Sequence, residues 1–260
     1  MADHNLNGNQ KVLSTRTTIE IVLPDGRVYT GNRGSTLAEL FKMLPEWDNP
    51  PIMGAVVNGE LKELTSTVEM DARVRLITMQ DDDGARIYRR SITFLLEAAF
   101  EEIFPGSLMT LDHSVSAGGY YCQVSKGTPL SKSNLAVLEQ RMRELVDADL
   151  PFERQLVPLD EVMNYFKMKG LEDKVRLLKY RQKEYLVLYR LDEHRDYHHG
   201  YMVPSTGYLK WFGLELMGEA FVLRFPRRGS PKEITPMPSY PKLLSTFRQY
   251  GNWLNRLGIE

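Results

Sequence analysis

His194 and His198 stand four residues apart, with Asp196 between them and His199 adjacent. On a helix this spacing puts both imidazoles on one face, where they could share a metal ion. Gly200 and the neighbouring strand pattern predict a loop instead, and no Cys or Glu is identifiable from the sequence as a third ligand. The segment therefore reads as metal-free, with a His194/His198 site as the alternative. Cys122 is the chain's one cysteine, which excludes an internal disulfide framework and a Cys-rich zinc site. A nucleophilic thiol needs a base or a cation to lower its pKa. None is recognisable nearby, so Cys122 reads as a buried structural thiol, with a reactive one as the alternative.

Phosphate binding is the third chemistry on offer. Lys167, Lys169, Lys174, Arg176, Lys179, Arg181 and Lys183 give seven cations in 17 residues, against Glu172 and Asp173. Nucleic-acid backbones reward such clusters through counterion release, which makes Lys174, Arg176, Lys179 and Arg181 candidate RNA contacts. Val175, Leu177 and Leu178 interleave them, so a plain amphipathic helix with a solvated basic face is the competing reading. Arg224, Arg227, Arg228 and Lys232 form a weaker second patch, and Arg86, Arg89 and Arg90 read as a charged helix start. Phosphoryl transfer has no support, because GNRGST at 31–36 lacks the lysine of a phosphate-binding loop.

The elements that carry these residues follow from periodicity. Ile19, Ile21 and Leu23 alternate before Pro24-Asp25-Gly26, which predicts a strand, a tight turn and a second strand through Val28 and Tyr29. Ser35 or Thr36 caps a short helix through Leu37, Leu40, Phe41 and Leu44, stopped by Pro45. Asn58-Gly59 predicts a second hairpin, and VRLITM from Val74 a last strand. Hairpin, helix, hairpin and strand in this order suit a β-grasp over residues 17–84. The charged break at residues 80–84 predicts a boundary, followed by an α+β unit over residues 85–228. In that unit Ile92, Leu95, Leu96, Ala99 and Ile103 stripe one helix, and Leu135, Leu138, Met142, Leu145 and Val146 another, capped by Ser131 or Ser133. Residues 160–169 and 172–181 predict two shorter helices divided by Gly170, and YLVLYRL and AFVLRF two buried strands.

The flanks read differently. Residues 1–16 are polar and aperiodic and predict a mobile tail. Residues 229–260 predict a proline-rich linker, five of the chain's 14 prolines falling within 226–241, then an amphipathic helix through Leu243, Phe247, Tyr250, Leu254 and Leu257. The 260 residues carry 33 Lys+Arg and 34 Asp+Glu, so attraction of the whole molecule to nucleic acid or membranes is not expected and any basic surface must be local. Apolar runs fall far short of the roughly 20 residues of a membrane span, and the start lacks a signal-peptide core. A cytoplasmic protein without a membrane partner is expected, its oligomeric state open.

Two resemblances sharpen this reading. IVLPDGRVYTGNRGSTLAELFKML with AVVNGELKELTSTVEMDARVRLITMQDDDG is similar to the TGS domain that opens threonyl-tRNA synthetases. AGGYYCQV at 117–124, LEQRMRELVDADLPFER at 138–154 and VPSTGY at 203–208 resemble the synthetase domain that edits mischarged serine. That resemblance implies a pocket at Arg90, Phe94, Tyr120, Tyr121, Cys122, His198 and Met202. The family's H-S-x-x-H and C-x-x-x-H motifs become Arg90-Ser91-Ile92-Thr93-Phe94 and His198-His199-Gly200-Tyr201-Met202, so all four motif positions differ. Ester hydrolysis needs an activated water, and of these four side chains only His198 can act as a base. Editing is therefore expected to be lost and no catalytic residue is assigned.

The same order of domains, with HHGYMVPSTGYLKWF, EAFVLRFPRR and YPKLLSTFRQYGNWLNRLGIE, resembles the N-terminal half of bacterial uridine kinase-like nucleoside kinases. This resemblance implies a noncatalytic regulatory module that binds a nucleotide, tRNA or other RNA, with a kinase domain in cis as partner if the chain is a fragment. No cofactor is expected here, ATP and magnesium belonging to such a kinase domain. A free-standing aminoacyl-tRNA editing hydrolase and an oligomerisation scaffold are the alternatives.

Overall fold

Alternating apolar residues and two tight turns build the first sheet. In the computed structural model, which describes residues 16–45, 49–236 and positions 249, 253, 256 and 257, β1 (Thr18–Val22) pairs antiparallel with β2 (Val28–Asn32) across the Pro24-Asp25-Gly26 turn. The chain then enters α1 (Leu37–Phe41), where Thr36 and Glu39 form a reciprocal capping box. β3 (Ile52–Val57) and β4 (Glu60–Lys62) close around Asn58 and Gly59, both at positive φ. β5 (Ala72–Thr78) runs parallel to β1 and antiparallel to β3, giving the order β2-β1-β5-β3-β4. Ile19, Ile21, Leu37, Leu40, Phe41, Ala55 and Leu64 fill one core beneath this sheet. This is the β-grasp arrangement.

Residues 80–84 form a tight joint. Thr78 donates from its backbone N–H and hydroxyl to Asp81 Oδ2 at 2.7 and 2.9 Å, and α2 (Asp82–Ile103) begins at the next residue. Gly84 sits where a Cβ would lie 1.8 Å from the Thr78 carbonyl oxygen, so only glycine lets helix and strand approach this closely. The buried face of α2, through Ile87, Tyr88, Ile92, Phe94, Leu95, Leu96 and Ala99, is the spine of the larger core. Met53 and Met79 from the β-grasp join that core, and Tyr189 donates to Glu63 Oε2 at 3.0 Å in a buried contact between the two halves.

Around α2 lie two further sheets. One has the order β11 (Gly213–Met217), β12 (Ala220–Arg224), β7 (Gly119–Lys126), β6 (Leu108–Val115). The other has the order β10 (His194–Tyr197), β9 (Tyr185–Leu191), β8 (Glu153–Pro158). α3 (Lys132–Asp147), with Ser131 at its N-cap, packs on α2, while α4 (Leu159–Met168) and α5 (Glu172–Leu178) cover the three-stranded sheet. The fold is α+β, as the sequence pattern predicts. Among the described residues no helix is long and apolar enough to cross a membrane. The tail up to residue 15 and most of the predicted terminal helix lie outside the described residues.

Candidate functional site

The site is built on the outward side of α2 and on the chain that crosses it at residues 198–203. Ser91 accepts from the Val203 N–H at 3.0 Å while donating to the Ile87 carbonyl at 2.8 Å, which pins the crossing segment to the helix. One residue earlier Arg90 reaches over the same segment and donates to the Tyr201 carbonyl. Its guanidinium lies against Gly200, where a Cβ would come within 2.7 Å of Nη2. Burial lowers the pKa of Arg90 from its ordinary value, although an arginine remains charged at neutral pH.

Above this floor opens a cleft of about 980 Å³ between α2, β6, β7 and residues 225–229. Arg86, Arg89, Arg90, Arg227 and Arg228 line it together with His113, His198 and Tyr120, and among the described residues Asp112 is the one acidic residue on its wall. Arg228 pairs with Asp82 and Arg227 donates to the Ser116 carbonyl, so both chains are held at the rim. Five arginines line one space, and although Asp83 pairs with Arg86 at 3.3 Å and Asp82 with Arg228, they make a locally anion-attracting surface on a molecule of net charge −1.

The pocket implied by the synthetase resemblance is only partly assembled here. Arg90, Tyr120 and His198 line the cleft. Phe94, Cys122 and Met202 are buried in the core beneath it, and Tyr121 faces the opposite side of its sheet with Val222, Met217 and Ala220. Strand alternation accounts for this, because Tyr120 and Cys122 share one face of β7 and Tyr121 takes the other. Burial pushes the Cys122 thiol up to about 12, which favours the structural reading of that cysteine.

The basic stretches also divide on inspection. Lys174 does not join an outward basic face: its ammonium pairs with Asp196 and lies over the rings of Phe166 and Tyr197, with Val175 and Leu178 buried beside it. Arg176 and Lys179 are exposed, and Arg181 donates to the Tyr185 carbonyl at 3.2 Å. Arg224 is likewise no surface patch. It is 3% exposed and binds Glu215 at 2.7 Å and the Gly118 carbonyl at 3.1 Å, bracing the turn between β6 and β7.

Behind the cleft wall the histidines meet a partner that spacing alone did not reveal. His194–Tyr197 is a strand, which puts residues 194 and 196 on one face, and residues 198–200 form the expected loop directly after it. His194 and His198 both face Glu97 of α2, with Nε2 to Oε2 distances of 3.8 and 3.6 Å. Phe94 stands edge-on to both imidazoles, its centroid 4.8 and 5.4 Å from theirs. On the far side His194 Nδ1 is 2.7 Å from Glu101 Oε2, and Lys169 pairs with Glu101. Burial pushes the Glu97 carboxyl up, but the two imidazoles outweigh it and leave it at about 2. Burial also opposes protonation of His194, which Glu101 and Glu97 overcome, raising it to about 9. A lone Glu within LLEAAF was the sequence signal for this contact.

No family model matches the chain. It is 32% identical over 204 residues to the threonine–tRNA ligase of Burkholderia lata, covering 78% of this chain and 32% of that protein. The corresponding enzyme of Marinobacter nauticus is 32% identical over 202 residues, covering 77% and 31%, and that of Psychrobacter cryohalolentis 30% over 204, covering 78% and 32%. The chain spans about a third of the length of the curated relatives it matches. It therefore carries a threonyl-tRNA synthetase-like region that covers most of the α+β fold described above. The kinase resemblance rests on the sequence stretches alone.

Proposed function

We propose that the chain is a noncatalytic, tRNA-related binding module whose arginine-lined cleft receives a phosphate-bearing nucleic-acid end. The observation that carries this reading is the gathering of Arg86, Arg89, Arg90, Arg227 and Arg228 around one space beside Tyr120. Guanidinium forks suit phosphate oxygens, and aromatic rings offer stacking faces for bases. Similarity to threonine–tRNA ligases supports tRNA as the nucleic acid. The burial of the apolar Phe94 and Met202, two of the four altered motif positions, supports the reading that editing is lost. The test is binding of deacylated tRNA by the full chain, with Arg89→Ala and Arg228→Ala weakening it.

A second reading, an editing hydrolase acting on mischarged tRNA, draws support from His198, which lines the cleft with Glu97 3.6 Å behind it. A carboxylate behind an imidazole is the arrangement of a general base. Deacylation of mischarged tRNA by the wild-type chain, abolished in His198→Ala, would select this reading. The finer proposal, that the module regulates a uridine kinase-like domain in the same polypeptide, rests on the 198–212 and 219–228 stretches. Change in uridine phosphorylation on adding this chain to such a kinase domain tests it.

A further inference from the structure

Among the described residues three buried side-chain polar atoms have no hydrogen-bond partner, and all three belong to one cluster: Glu97 Oε2, His194 Nε2 and His198 Nε2. Buried polar atoms are almost always paired, so two imidazole nitrogens that flank one carboxylate oxygen without reaching it call for an occupant. The ion pairs between Glu97 and the imidazoles act across 3.6 and 3.8 Å, beyond hydrogen-bond reach, and so leave these atoms without a hydrogen-bond partner. These separations are close to the roughly 3.4 Å expected between two donors bound at about 2.0–2.1 Å to one tetrahedral ion. The donor types, two imidazole nitrogens and one carboxylate oxygen, are those of a zinc-class ion.

The surroundings match a metal site beyond its ligands. Glu101 takes the Nδ1 side of His194 at 2.7 Å, which leaves Nε2 to offer its lone pair toward Glu97 when the ring is neutral. Phe94 closes the apolar side of both imidazoles. Glu97, His194 and Asp196 have ligand atoms within 4.8 Å of one another, a grouping that leaves out His198, but the Asp196 oxygens are engaged by Lys174 and by the Tyr197 N–H, so His198, 3.6 Å from Glu97, is the better third donor. We propose that Glu97, His194 and His198 bind one divalent transition-metal ion of the zinc class, with Glu101 orienting His194 from behind. Of the three ligands only His198 falls at a position of the editing motifs, so the site is not the family's motif restored in place. It does not rest on the nucleic-acid reading of the cleft.

The test uses the full chain expressed with added zinc and analysed for metal by mass spectrometry. Stoichiometric zinc is expected, with a fall in Tm on chelation that zinc reverses. Glu97→Gln and His198→Ala should each lose the metal and the zinc-dependent Tm shift while far-UV circular dichroism is retained, and His199→Ala should keep both. Glu101→Gln should weaken zinc affinity by about 10- to 100-fold without removing the site. If either ligand variant fails to fold, the smaller change His198→Asn carries the test. Wild-type protein that neither contains zinc nor shifts in Tm when zinc is added would overturn the proposal. So would zinc retained at wild-type affinity by Glu97→Gln and by His198→Ala or His198→Asn.

Discussion

The guanidinium of Arg90 rests on Gly200, the residue whose φ of +103° turns the crossing segment beneath the cleft. Each side of this contact depends on the other. A side chain at residue 200 would collide with Nη2 at 2.7 Å, and would also occupy a backbone conformation that L-residues rarely adopt. Gly200→Ala should therefore destabilise the protein by about 1–3 kcal/mol in denaturant titrations. In an Arg90→Ala background the same change should be less damaging, because the collision is relieved and only the backbone strain remains. Additive effects in this double-mutant cycle would show that the contact is not coupled.

The two halves of the molecule are tied by Tyr189 and Glu63, whose buried hydrogen bond spans from β9 to the β-grasp. Tyr189→Phe leaves the Glu63 carboxylate with Arg154 at 3.8 Å as its remaining partner. The expected result is a loss of about 1–3 kcal/mol, read as a lower midpoint in urea. Unchanged stability would mean that the contact between halves contributes little.

Cys122 makes a pH-dependent prediction. Its thiol is held protonated by burial, with a folded value of about 12 against an ordinary value near 9. A group whose folded pKa lies above its unfolded one stabilises the protein fully below the unfolded value. That contribution declines as pH rises from about 9 toward 12. Stability should therefore fall across this window, less steeply in Cys122→Ala after correction for its lower starting stability. In the folded protein at pH 8 the thiol should resist a disulfide-exchange reagent and react only on unfolding; rapid labelling of the native chain would contradict its burial.

Much of the fold was legible because local chemistry decided it. Pro24-Asp25-Gly26 and Asn58-Gly59 fix turns that little else can make, Thr36 and Glu39 spell a capping box, and the Ile92-to-Ala99 stripe marks the spine helix. What escaped was decided by convergence of distant segments. Lys174 reads as one cation of a solvated face until Asp196 arrives from β10 to pair with it, and Arg224 reads as surface until the turn between β6 and β7 closes around it. Glu97 is marked in the sequence only as a lone acid within LLEAAF, a signal that says it needs a partner but not which one. His194 and His198 share a face on a helical period of 3.6, whereas the fold brings both to Glu97 from a strand and the loop that follows it.

The cleft reading is tested most directly by the affinity of the full chain for deacylated tRNA between about 50 and 200 mM salt. Affinity should fall steeply with salt. Arg89→Ala and Arg228→Ala should each weaken binding and reduce the slope of log affinity against log salt by about 1. Arg176→Ala and Lys179→Ala, on the exposed face of α5, should leave both unchanged. Absence of salt-dependent binding, or binding that ignores Arg89 and Arg228 and follows Arg176 and Lys179, would contradict the account.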